Sequence, residues 1–267
     1  MNKFELRTNK LLEMLQLNRR LDVRTVAESL RISEATARRF FSQLEEDGKV
    51  IRVHGGVQLA PQLGYDYSFR IQASHRQKQK ALIGAHAAEL VQNGDRIFLD
   101  SGTTVLKLAE TLALRLRTGA LKNIVVLTNS ITHVETVARW CKVILVGGEI
   151  RVERLDVCGS VAEKTLMMFH LDKAFFGADA VSLAGGCMTT DERTSTMNEI
   201  VVERAERCYV LVDSHKFGKT SFIRYASFNE IDTIFTDSGL DRDTLREFSD
   251  AGARIEIVRA KSAGGGD

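Results

Sequence analysis

The stretch Leu21–Val57, LDVRTVAESLRISEATARRFFSQLEEDGKVIRVHGGV, decides how the chain is read. Val23, Val26 and Leu30 recur at helical spacing and give a first short helix an inward face. Arg31-Ile32-Ser33 forms a turn, with Ser33 placed to cap the next helix and Glu34 in its first turn. In that second helix Ala37, Phe41 and Leu44 fall on one side at i, i+4 and i+7, while Ala35, Arg38, Arg39 and Ser42 fall on the other. An outer face with two adjacent arginines and small polar groups suits a DNA major groove. The helix is expected to end at Asp47, with Gly48 as the left-handed residue after it. Lys49–Val53 then reads as a strand, His54-Gly55-Gly56 turns it, and Val57-Gln58-Leu59 returns. Helix pairs of this size also occur in bundles, and paired arginines are commonly just solvated. The glycine-turned ribbon directly after the second helix, with Lys49 and Arg52 on it, favours a winged helix-turn-helix. Candidate DNA contacts are Ser33, Glu34, Ala35, Thr36, Arg38, Arg39, Ser42, Arg52 and His54.

The chain has 267 residues, enough for two domains and a substantial core. Charge is unevenly spread. Residues 1–60 hold 11 Lys and Arg against 8 Asp and Glu, whereas the remainder is slightly acidic, leaving +2 overall. A basic excess at the winged unit is the electrostatic footprint expected of a DNA contact. No apolar run approaches the roughly 18 residues of a membrane span, and MNKFELRTNK has no apolar centre like that of a signal peptide. Cys141, Cys158, Cys187 and Cys208 are scattered without a CxxC pair or a histidine cluster. Neither a metal site nor a disulfide framework is expected, which fits a reducing cytoplasm. The single proline, Pro61, follows the wing and marks a boundary.

Around this unit the chain is read as follows. Phe4, Leu11, Leu12 and Leu15 predict a leading helix over 2–17, with Arg7 and Lys10 as possible phosphate contacts. The winged domain spans 1–59. Ala60–Ser74 has no clear period, so 60–75 is taken as a linker whose Tyr65, Tyr67 and Phe69 dock elsewhere. His75–Lys80 opens a helix whose basic first turn is read as solvated, with DNA or an anionic ligand as its alternative partner. From Arg96 onward short apolar runs (97–99, 124–127, 143–146, 174–176, 209–212, 233–235, 254–258) alternate with helical stretches (104–117, 132–140, 161–170, 196–207, 242–251). That alternation predicts a doubly wound, largely parallel α/β domain over 76–260. The Gly-rich end, 261–267, reads as a frayed tail.

Ligands of open α/β sheets bind beyond the carboxyl ends of strands. Three consecutive strand ends carry suitable groups: Asp100-Ser101-Gly102-Thr103-Thr104, then Thr128-Asn129-Ser130, then Gly147-Gly148. Small residues let backbone N–H groups approach an anion at a helix start, and the hydroxyls add donors. Together they point to a small phosphorylated, hydroxyl-rich ligand. Asp179 and Lys216 follow later strands and extend the site, although Asp179 and Asp213 also suit turn or helix capping. No GxxxxGK[ST] or GxGxxG stands at these positions, so no nucleotide cofactor is expected.

These motifs together resemble the DeoR-type (deoxyribose-operon repressor type) transcription regulators along nearly the whole chain. The family's S-x-x-T-x-R-R-D-L stands here as Ser33–Phe41, its H-G-G as His54-Gly55-Gly56. Its D-x-G-T-T, T-N-S, G-G and D-x-S-K-F-G stand as Asp100–Thr104, Thr128–Ser130, Gly147-Gly148 and Asp213–Gly218. The resemblance implies a repressor of a carbohydrate operon that binds double-stranded operator DNA and whose second domain senses a sugar phosphate; one small winged domain reads an operator weakly, so a homodimer or homotetramer is expected. It also implies a sensor fold similar to ribose-5-phosphate isomerase. Phe40 stands where the family has Asp, and either packs inward or touches base methyl groups. Asp191–Ser195 is mixed in charge where the family is glutamate-rich. An isomerase-like enzyme and a metabolite binder without DNA affinity are the alternatives. The isomerase's D-G-A-D-E is Phe176-Gly177-Ala178-Asp179-Ala180 here, and its K-G-G-G is Leu183-Ala184-Gly185-Gly186, so the base and enediolate stabiliser that proton transfer needs are largely missing. No catalytic residue is therefore expected.

Overall fold

The computed structural model describes residues 3–18, 20–46, 50–59 and 69–259. The helix end at Asp47-Gly48, Lys49, Pro61, Tyr65, Tyr67 and the tail from Lys261 lie outside them. The chain divides into two compact units, Met1–Tyr67 and Ser68–Asp267.

In the first unit α1 (Lys3–Asn18), α2 (Val23–Leu30) and α3 (Glu34–Glu46) carry a sheet of β1 (Arg20–Asp22), β2 (Val50–Val53) and β3 (Gly56–Leu59). The strand order is β1-β3-β2, all antiparallel. The sequence pattern did not anticipate β1, whose three residues are too few to show a period. Gly56 is required where β3 meets β1, because a Cβ there would lie 2.1 Å from the Leu21 carbonyl oxygen. Asp22 caps α2 by accepting from the Thr25 N–H at 2.8 Å. Ser33 caps α3 in the same way, accepting from the Thr36 N–H at 3.2 Å. Arg31 takes a left-handed conformation (φ 51°) that ends α2 and makes the sharp turn. Leu11 and Leu15 of α1, Val23, Val26 and Leu30 of α2, Ala37, Phe41 and Leu44 of α3, and Val50 and Val57 of the ribbon form one core. Phe40 packs inward with them, its ring edge-on to Phe4 at 5.2 Å. That settles the open reading of Phe40: it is a core residue and presents nothing to a base.

The second unit opens with α4 (Phe69–Ser74) and α5 (Gln77–Ala88). The end of the stretch read as linker is thus helical. Its cause is Phe69, which is buried and whose N–H donates to the Glu153 carbonyl at 2.9 Å. Then come β4 (Arg96–Leu99), α6 (Thr103–Arg117), β5 (Val125–Thr128), α7 (Ile131–Val137) and β6 (Lys142–Leu145). A hairpin of β7 (Glu149–Arg151) and β8 (Asp156–Cys158) follows, with α8 (Ser160–Leu166) and β9 (Lys173–Phe176). The chain continues through β10 (Ala180–Ser182), β11 (Gly186–Thr189), α9 (Glu192–Arg204), β12 (Cys208–Leu211), β13 (Ile223–Ala226), β14 (Thr233–Asp237), α10 (Arg242–Asp250) and β15 (Ile255–Val258).

Seven strands form a parallel sheet in the order β15-β14-β12-β9-β4-β5-β6. Steps from β4 run one way and steps from β9 the other, so the order reverses between these neighbours. Side chains alternate across the sheet. Ile97, Leu99, Phe175 and Leu211 join α5 and α6 on one face, and Phe98, Ala174, Phe176 and Val210 join α8, α9 and α10 on the other. Burial on both faces explains why these strands read as continuous apolar runs. The hairpin β7–β8 and an antiparallel sheet β10-β11-β13 are additions that the sequence reading did not place.

Phe40→Ala is expected to destabilise the winged unit by about 3–5 kcal/mol, the usual cost of emptying a buried phenylalanine site. Thermal unfolding followed by circular dichroism checks it, and a loss near zero means that Phe40 is not held in this core.

Candidate functional site

Pairing register places the strand ends at one level. Leu99 lies beside Thr128 on one side and Phe175 on the other. Asp100 and Asn129 therefore emerge together, next to Gly177, at the reversal point where open α/β sheets leave a crevice. The Asp100 carboxylate spans that point: its Oδ2 accepts the Gly177 N–H at 2.9 Å. The two loops close tightly, a Cβ on Gly102 meeting the Gly177 Cα at 3.3 Å. Thr128 is bound to its own loop and to β4, its hydroxyl donating to the Leu99 carbonyl at 2.6 Å and accepting the Ser130 N–H at 3.0 Å. Ser130 caps α7. Below them His133 is fully buried, and burial holds its pKa down to about 3, so it is neutral.

Three buried polar atoms here have no hydrogen-bond partner: the acceptors Asp100 Oδ1 and Asn129 Oδ1 at the strand ends, and His133 Nε2 below them. Buried acceptors without donors are rare and costly. Burial pushes the Asp100 carboxyl up to about 6, the Gly177 N–H opposing this and the charges of Asp156 and Asp179 adding to it. Thr103 and Thr104 form the first turn of α6, where N–H groups lack helical partners.

Behind this crevice lies a network that the sequence reading missed. Ser101 Oγ donates to Asp156 Oδ2 at 3.0 Å. Arg151 grips Asp156 through two bonds, Nε–Oδ1 at 2.8 Å and Nη2–Oδ2 at 2.7 Å, and reaches Asp191 Oδ1 at 2.6 Å. Burial works against the Arg151 charge, but Asp156 and Asp191 outweigh it and raise its pKa. The hairpin β7–β8 thus joins the Ser101 loop to the cap of α9, since Asp191 also accepts the Thr194 N–H. Nothing in the local pattern distinguished Arg151 from Arg154.

A second missed group is Lys80. The sequence placed it in a solvated first turn, yet it is 5% exposed. The signal was present: Lys80, Ile83, Gly84 and Ala87 fall at i, i+3, i+4 and i+7, the buried stripe of α5. Burial lowers its pKa to about 8; Asp213 acts to raise it, while Lys216, Arg76 and Lys107 depress it further. Lys80 and Lys216 therefore share one charged neighbourhood beyond β12. α5 and α6 pack side by side, Gly84 against Lys107 and Leu108, and both start at this edge of the sheet.

The remaining candidates divide. Asp179 Oδ2 takes three donors, the Thr189 and Thr190 hydroxyls and the Thr190 N–H, so it holds a turn. Asp213 caps the short turn carrying Lys216. Gly147 and Gly148 have positive φ (74° and 116°), and a Cβ on Gly148 would lie 2.4 Å from the Cys158 carbonyl oxygen. Close approach of the hairpin accounts for that glycine without a ligand. In the first unit Glu34, Ala35, Thr36, Arg38, Arg39 and His54 are exposed and Ser42 is half-buried. Arg52 donates to Glu45 Oε2 at 2.7 Å and Ser42 Oγ at 2.9 Å, so Arg52 and Ser42 brace α3 against the ribbon. Lys10 donates to the Ser29 carbonyl.

The sequence profile of the DeoR C-terminal sensor domain matches residues 75–238, and that of the DeoR-like helix-turn-helix domain matches 7–62. The chain is 32% identical over 231 residues to the HTH-type transcriptional repressor GlcR of Bacillus subtilis, covering 85% of this chain and 86% of that one. It is 32% identical over 252 residues to the lactose phosphotransferase system repressor of Lactococcus lactis, covering 93% and 96%. Among solved structures, ribose 5-phosphate isomerase A of Methanocaldococcus jannaschii aligns over 53% of this chain and 54% of its own, with 22% identity and a TM-score of 0.40.

The raised Asp100 value has a stability consequence. The folded state holds this proton more tightly than an ordinary carboxyl of 3.8, so stability falls as pH rises from 3.8 to about 6, and the penalty is complete above that. Asp100→Asn keeps an acceptor for Gly177. It should stabilise the second unit by up to about 3 kcal/mol above this window and by little below it. Urea unfolding on either side of the window checks this; an equal effect at both pH values removes the buried charge as its cause.

Proposed function

The chain belongs to the DeoR family of transcriptional regulators, and from that premise we propose that it represses a carbohydrate operon and leaves its operator when a phosphorylated sugar binds the second unit. The single observation that carries the ligand reading is the pair of unpartnered acceptors, Asp100 Oδ1 and Asn129 Oδ1, at adjacent strand ends. Hydroxyl groups of a bound sugar would satisfy such buried acceptors, which otherwise carry a desolvation cost. The first turn of α6 with Lys80 and Lys216 supplies positive potential for a phosphate. Asp100 itself repels phosphate, and its assignment to sugar hydroxyls follows from that. The relatives' names support a sugar-related operon. They also name regulators, and the isomerase motif residues are mostly absent here, so the ligand acts as a signal and is not converted.

Operator contact is assigned to the outer face of α3, chiefly Arg38 and Arg39. A single winged unit reads few base pairs, and a dimer presenting two recognition helices about 34 Å apart meets successive major-groove faces. The four cysteines are unpaired, as suits a reducing cytoplasm.

Arg38→Ala and Arg39→Ala are expected to weaken operator binding. A base contact costs about 1–3 kcal/mol and relaxes sequence preference; a phosphate contact lowers affinity for all sequences and flattens the salt dependence. Fluorescence anisotropy with operator DNA at several salt concentrations separates these, and unchanged binding in both variants removes α3 from the interface. Thr103→Val should cut sugar-phosphate affinity about ten- to a hundredfold, the worth of one charge-assisted hydrogen bond. Lys216→Met should weaken a phosphorylated sugar far more than the parent sugar. Calorimetry with a panel of sugar phosphates reads both, and a Thr103→Val protein that cannot bind operator without ligand makes the loop a structural element.

A further inference from the structure

The short helix α4 is the first element of the second unit after residues 60–68, which connect it in sequence to the winged unit. Besides the buried Phe69 side chain, three polar ties hold it, and each traces back to the candidate ligand site. At its start the Phe69 N–H donates to the Glu153 carbonyl at the tip of the β7–β8 hairpin. That hairpin carries Arg151 and Asp156, and Asp156 accepts from Ser101 of the ligand loop. At its end the buried Lys80 ammonium donates to the Gln72 carbonyl at 2.5 Å. Just beyond it Arg76, left-handed at φ 51°, sets the turn into α5 and lies 3.7 Å from Asp213, which caps the turn bearing Lys216. A six-residue helix is too short to be stable by itself, so these anchors decide whether it stays docked.

We propose that α4 is the element through which ligand occupancy reaches the DNA-binding unit: phosphate at the site draws the Lys80 ammonium from Gln72, while a ligand against Ser101 shifts the hairpin, and α4 loosens. The proposal rests on the anion-site reading above. It gives Lys80, Arg76 and Arg151 a positioning role that ligand contact alone does not. An effect on operator affinity requires a ligand that favours one of two states, and docked and loosened α4 are two such states. Lys80 serves both, because the same ammonium that attracts the phosphate ties down the helix. Its low residual exposure keeps water from replacing either partner.

Amide hydrogen exchange by mass spectrometry on the full chain tests this, with inorganic phosphate as the probe. Lys80→Met should speed exchange of the 69–76 peptide about tenfold or more, as loss of one charge-assisted hydrogen bond predicts. Peptides from β9 and β12 should exchange as in the wild type, and Lys80→Arg should restore protection. Phosphate should slow exchange over 99–104 and speed it over 69–76 in the wild type, with no added effect on α4 in Lys80→Met. Protection of 99–104 without change at 69–76, or an unaltered α4 in Lys80→Met, overturns the clasp. If phosphate protects nothing, the anion-site reading fails, and the Lys80→Met comparison alone decides whether α4 is held as described. Should Lys80→Met also speed the β9 and β12 peptides, Arg76→Gln, which breaks only the tie to Asp213, replaces it; unchanged 69–76 exchange there overturns the proposal.

Discussion

One carboxylate spans the point where the sheet changes direction. Asp100 directly follows β4, and its Oδ2 accepts the N–H of Gly177, the residue after β9, across the neighbours from which the strand order diverges. Two backbones must come together there without side chains between them, and Gly102 and Gly177 meet that demand. What this costs is a charge removed from water with one oxygen unpaired. Unsatisfied buried groups persist where the surrounding fold over-determines them, and such places cluster at functional sites. The loops that follow β4 and β5, the hairpin behind them and the cap of α9 all take position from this junction.

The electrostatics of the edge are divided between two sides. Asp156 and Asp191 lie toward the hairpin and are answered there by Arg151, while Asp100, on the same side, is held by the Gly177 N–H. Arg76, Lys80 and Lys216 lie toward α5 and are answered by Asp213, which leaves that side with excess positive charge. Under the proposed function, phosphate and hydroxyl groups of a single small molecule would find opposite preferences within one crevice, which would orient it. A buried arginine held by two carboxylates adds little net stability over apolar packing, but removing one partner leaves an uncompensated charge. Such a network fixes the geometry of Ser101 more than it strengthens the fold.

Much of this was legible in the sequence for a physical reason. α3 shows its inner face because Ala37, Phe41 and Leu44 repeat at helical spacing, and the ribbon shows itself through His54-Gly55-Gly56. The parallel strands are buried on both faces and so stand out as short apolar runs between helices. Asp100 and Asn129 were found because each ends such a run. The hairpin was not, since Glu149-Ile150-Arg151 and Asp156-Val157-Cys158 are three-residue strands with charges that imitate a loop. Phe69 looked like part of an aperiodic linker because its partners, Glu153 above all, are far away in sequence. Lys80 was misjudged by weighing residue type over position: five basic or amide residues precede it, yet its place in the helical repeat is an inner one. The left-handed turns at Arg31 and Arg76 carried no glycine to announce them.

The two units also differ in how far along the chain their contacts reach. The winged unit has its own core and pairs strands close in sequence, whereas the parallel sheet joins β4 to β9 and cannot close until β12, β14 and β15 exist. Local topologies fold faster than non-local parallel ones, and domains fold as units during synthesis. The 200 residues from Ser68 to Asp267 take roughly 10–40 s to translate at about 5–20 residues per second. For that interval the winged unit has all of its core residues while the second unit is still incomplete. Under the proposed function, each new molecule would pass through a stage in which a metabolite has no folded site to bind, and assembly of the sheet would bring it under control.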